Sequence, residues 1–85
     1  MQKEKKLTDA DIKYYMSECN DIEFTADDAD KVDSERMDAI PKMAQADVLA
    51  GDKKRDKGSF KNDSEYKLYL LSVYDVAGCI KDGLM

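Results

Sequence analysis

Two stretches of the chain share one layout: "LTDADI" at Leu7 to Ile12 and "FTADDA" at Phe24 to Ala29. Each places a large apolar residue, a threonine and, three residues after the threonine, an aspartate. This is a helix start signal. The threonine hydroxyl accepts a backbone N–H of the first turn, and the aspartate reaches back to the backbone N–H of the threonine. Leu7 before the first cap is placed to staple onto Ile12. The aspartates also face the positive end of the helix dipole. A second reading treats the same aspartates as a surface for something cationic.

The first predicted helix runs from Asp9 to about Cys19, with Ile12, Tyr15, Met16 and Cys19 on one face and Tyr14 turned outward. The second starts at Ala26 and carries an imperfect apolar stripe through Val32, Ile40 and Val48 to Gly51, which suits a C-terminal cap. Pro41 interrupts it, and a kink or break is expected near Ile40. "GDKKRDKGSFKND" from Gly51 to Asp63 has two glycines, five cations and no periodicity, so residues 52–62 are expected to form a basic loop. The last helix starts near Asn62 or Asp63, where Asn62 and Glu65 suggest a capping box. Its apolar positions between Tyr66 and Ile80 wrap most of the circumference, so it must be covered on several sides.

The expectation is an all-α fold in one domain over residues 1–85, with a flexible N-terminus at 1–6. It is a small three-helix bundle, or a four-helix bundle if Pro41 breaks the middle segment. Composition agrees: one Pro and four Gly in 85 residues disfavour a turn-rich β fold, and 42% hydrophobic residues exceed what a disordered acidic tail would carry. The most apolar stretch, Tyr66 to Leu84, is interrupted by Lys67, Asp75, Lys81 and Asp82, so no membrane span is expected. "MQKEKK" is followed by "LTDAD" and not by an apolar run, which does not read as a signal peptide.

Cys19 and Cys79 lie near the predicted ends of the first and last helices. If the middle segment returns antiparallel, the two meet at one end and a disulfide is feasible. Closing this loop would stabilise the fold by roughly 4 kcal/mol. The bridge would imply a periplasmic or secreted mature form. Two reduced thiols packed as small hydrophobes would instead suit the cytoplasm.

Chemistry is poorly supplied. Histidine is absent, which removes the commonest general base and the commonest transition-metal ligand. No C-x-x-C, phosphate loop or dinucleotide glycine pattern occurs. With 19 acidic residues, carboxylate pairs arise by chance. An EF-hand counted from Asp28 has Asp33 at the required glycine and Ala39 at the closing glutamate; one counted from Asp52 has Lys57 and Asp63 there. Neither fits. The expectation is a protein that is no enzyme and holds no cofactor or metal.

Charge is distributed unevenly. Between Thr8 and Asp38 eleven acids face three bases, a net of −8, whereas Gly51 to Asn62 carries +3. An acidic face repels nucleic acid and speeds encounter with a basic protein. A solvated face that only keeps the protein soluble is the plainer account. The sharper one is a protein-binding module of the bacterial or phage inhibitor or immunity type, using Tyr14, Glu18, Asp21, Glu23, Asp27, Asp28, Asp30 and Asp33 to dock a basic partner. Two rivals are a DNA mimic directed against restriction or defence enzymes, and an extracytoplasmic, disulfide-stapled structural or chaperone-like subunit.

Overall fold

The computed structural model describes residues 7–17 and 22–83. They form an all-α bundle of four helices: α1 over Asp9–Met16, α2 over Ala26–Asp30, α3 over Ser34–Ala50 and α4 over Asp63–Lys81. A 3₁₀ turn at Lys57–Ser59 lies within the basic loop.

Both repeated stretches are capping boxes. Thr8 Oγ1 accepts the Asp11 N–H at 3.2 Å, and the Thr8 N–H donates to Asp11 Oδ2 at 3.1 Å. Thr25 repeats the arrangement with Asp28 at 3.3 and 3.0 Å. Asn62 caps α4 by accepting the Glu65 N–H at 2.9 Å. The expected box closes only on that side, because the Glu65 carboxylate turns inward and accepts from Arg36 and from the Lys61 N–H.

The break in the middle segment is not where Pro41 suggests. α3 runs unbroken through Pro41, and the interruption falls at Lys31–Asp33. There the Lys31 N–H donates to the Asp28 carbonyl and the Val32 N–H to that of Ala29, the tighter i→i+3 bonds that end a helix. Val32 is then buried, and Asp33, extended at φ −62°, opens α3. An interior proline costs a helix about 3 kcal/mol. Ile40, just before it, and Ala44 and Val48 after it are all 0% exposed. Burying a Val or Ile is worth about 1.5–3 kcal/mol each, so burial on both sides of Pro41 outweighs the missing donor. Gly51 ends α3 as expected: at φ 73° it is left-handed, and its N–H and that of Asp52 close onto Val48 and Asp47.

One apolar cluster joins Tyr15 of α1, Val32, the Ile40–Ala44–Val48 stripe of α3, Phe60, and Tyr69, Leu70, Val73 and Ala77 of α4. α4 packs against each of the other three helices, which accounts for its nearly continuous apolar surface. α1 ends at Met16 with Ser17 as its C-cap, short of the expected end at Cys19. Cys79 lies partly buried on α4, while Cys19, its proposed disulfide partner, lies outside the described residues, as does the flexible N-terminus expected at residues 1–6. Among the described residues no helix is long and apolar enough to cross a membrane.

Candidate protein-docking surface

The acids of the −8 segment divide into those that hold the fold and those that face water. Asp28 belongs to the first group and is only 6% exposed. Its carboxylate accepts the Thr25 N–H at 3.0 Å, the Ser64 hydroxyl at 2.7 Å, the Thr25 hydroxyl at 3.1 Å and the Lys67 ammonium at 3.3 Å. The Thr25 backbone donor first, then Ser64, hold its pKa far below the usual carboxylate range against the opposing effect of burial. An acid with these commitments is a clamp between α2 and α4. It is not presented to a partner, and it leaves the set of docking residues expected from the sequence.

Glu23, Asp27 and Asp30 are exposed, and so is Glu35 in the first turn of α3. Asp27 and Asp30 are three residues apart on α2, hence on one side of it. None of the four has an ion-pair partner among the described residues. Asp33 is also exposed, with Lys61 at 3.6 Å; both side chains are about 70% in water, so the pair is weak. Glu18 and Asp21 lie outside the described residues.

Tyr14 is 41% exposed, as the helical pattern implies, but its bonds run to the basic loop. The Lys54 N–H donates to Tyr14 Oη and the Lys54 ammonium to the Tyr14 carbonyl, each at 3.0 Å, and the ammonium sits 4.7 Å from the ring centroid. Tyr15 Oη donates to the Asp52 carbonyl at 2.7 Å, and Tyr69 Oη accepts the Arg55 N–H at 3.1 Å. Three tyrosines thus strap residues 52–55 to the body.

The loop's cations are largely used against the body as well. Arg55 binds Asp47 through two nitrogens at 2.8 and 3.2 Å, and Lys57 pairs with Asp63 at 2.9 Å. With Lys61 on Asp33, most of the +3 segment is matched locally, and the carboxylates around α2 keep their excess. Asp47, which sequence reasoning did not single out, and Glu65, which it took only as a capping-box partner, are the buried acceptors of this framework. Asp47 takes the Tyr69 hydroxyl at 2.8 Å beside Arg55, and Glu65, 0% exposed, takes Arg36 Nε and Nη2 at 3.2 and 3.0 Å. Arg36 holds the Glu65 pKa below its usual value despite burial. A sequence signal existed for both: Asp47 lies seven residues after Ile40, and Glu65 four before Tyr69, each on an apolar stripe.

Comparison of the chain with protein-family models, with curated proteins and with solved structures finds no match.

Proposed function

We propose that the protein is a small binding module of the inhibitor or immunity type that docks a basic protein through Glu23, Asp27, Asp30 and Glu35, with Asp33 at the edge. The observation that carries this reading is the contrast in charge use. Asp28, Asp47 and Glu65 are buried and hydrogen-bonded, three of the loop's five cations (Arg55, Lys57 and Lys61) are matched to acids, and four carboxylates within residues 23–35 are exposed and without an ion-pair partner among the described residues. Such a surface raises the association rate with a cationic partner and makes that rate fall with salt.

The test is affinity capture from extracts of the source organism on immobilised protein, comparing wild type with Asp27→Lys/Asp30→Lys at low and at physiological salt. The expected result is a basic protein held by wild type, weakened by salt and lost on the variant. The purified partner should then bind the variant at least about tenfold more weakly. Retention equal on both surfaces removes the proposal. Displacement of wild type from its partner by duplex DNA would replace it with DNA mimicry.

A further inference from the structure

α1 and the last turn of α4 leave a cleft of about 540 Å³ lined by Asp9, Ile12, Lys13, Met16, Ser17 and Lys81. Its size falls within the range of small-molecule sites, about 300–1,000 Å³. The lining is mainly apolar, and Ile12 and Met16 are partly buried side chains packed against the core cluster.

Its two cations, like Lys31 and Lys53, have no carboxylate partner among the described residues. Arg36, Lys42, Arg55, Lys57, Lys61 and Lys67 each pair with a carboxylate. Lys13 and Lys81, on two different helices, meet at this one cleft without an ion-pair partner among the described residues. Both are exposed, so their stems can lie along the apolar walls while the ammonium groups reach the rim. Asp9 on the same lining opposes a second negative group, which selects a ligand with one compact anionic head over a polyanion.

We propose that this cleft binds a monomeric anionic amphiphile, an aliphatic chain bearing one carboxylate. The tail lies on Ile12 and Met16, and the head sits between Lys13 and Lys81. The site shares none of the docking carboxylates, so its failure would leave the acidic surface untouched, and the reverse also holds.

The test titrates the full chain with dodecanoate below its micelle-forming concentration, followed by calorimetry and by amide chemical shifts. One saturable site is expected, with shifts centred on residues 12–17 and 78–82. Shortening the tail should weaken binding by up to roughly fourfold per methylene. Lys13→Glu/Lys81→Glu should weaken it by roughly tenfold or more, and Lys13→Gln/Lys81→Gln by less. Both lysines are exposed, so circular dichroism should show the variants folded. Absence of saturable binding, equal binding of dodecyltrimethylammonium, or unchanged affinity in both lysine variants would each overturn the proposal.

Discussion

The capping boxes of α1 and α2 are nearly superposable in chemistry and unlike in consequence. Thr8 and Thr25 have the same φ of −91° and ψ values of 169° and 174°, and the paired bonds to Asp11 and Asp28 agree within 0.1 Å. Asp11 remains partly exposed beside its box, whereas Asp28 is buried and also takes Ser64 and Lys67 of α4. The local motif decides where a helix begins. A neighbouring helix decides how much the motif weighs. α2 has only five residues, far below the ~12–15 at which an isolated helix becomes even marginal, so its persistence rests on tertiary anchors such as this clamp.

The largest effect that tests this contrast is expected from Asp28→Ala. It leaves the Ser64 hydroxyl, the Lys67 ammonium and the Thr25 N–H without their acceptor, and the melting temperature should fall by on the order of 10 °C. Asp11→Ala should lower it by only about 4 °C, the loss of one side of a cap. Thermal unfolding followed by circular dichroism measures both. Equal losses would mean that the bonds to α4 contribute nothing.

Acid should erase the same difference. Since folding depresses the Asp28 pKa, its contribution is present above the unfolded value near 3.9 and is lost as pH falls through the folded value. The stability gap between wild type and Asp28→Asn is therefore expected to narrow as pH drops from about 5 to about 2. Glu65 is depressed in the same direction and is common to both proteins, so it cancels in the comparison. A gap constant over that range would show that the Asp28 charge plays no part in the clamp.

Asp11 has its own, smaller tertiary reach. Tyr15 is pushed up to about 12, first by burial and then by the charge of Asp11. A tyrosine raised in the folded state contributes stability that is full below about pH 10 and is lost as pH rises toward the folded value. Asp11→Asn should lower the Tyr15 ionisation midpoint measurably in an ultraviolet pH titration, with Tyr15→Phe identifying which transition belongs to it. An unmoved midpoint would confine Asp11 to its cap.

Three of the four helix starts were legible because a cap is written within four residues: Thr8, Thr25 and Asn62 all cap as their spacing implies, and Gly51 closes α3; the start of α3 at Ser34, whose cap Asp33 makes no side-chain bond, was not. Ile40 and Val48 on the buried stripe and the division between Tyr14 and Tyr15 were legible for the same reason, since period alone assigns them. Pro41 misled as to a break, because its local cost is visible in sequence while the burial of Ile40 and Val48 that offsets it is not. Asp28 misled in the opposite sense. Its neighbours Asp27 and Asp30 have the same composition around them, and only the packing of Ser64 and Lys67, more than thirty residues later, separates a clamp from a surface acid. The exposed part of the acidic segment was therefore readable as charge but not as a list of residues.

The smallest effect is expected where the two boxes are most alike, in the threonines. Thr8→Ala removes one side-chain acceptor at a helix start, which costs about 1 kcal/mol. Thr25→Ala removes the same acceptor and one donor to Asp28 Oδ2 at 3.1 Å, but the carboxylate keeps the Thr25 N–H, Ser64 and Lys67. The two losses, read as urea midpoints at unchanged denaturant slope, should therefore agree to within about 1 kcal/mol. Ser at either position should restore most of the loss, because the hydroxyl alone makes the cap. If Thr25→Ala instead proved as damaging as Asp28→Ala, the threonine would be the residue that orients the clamp, and the difference between the helices would begin at the cap itself.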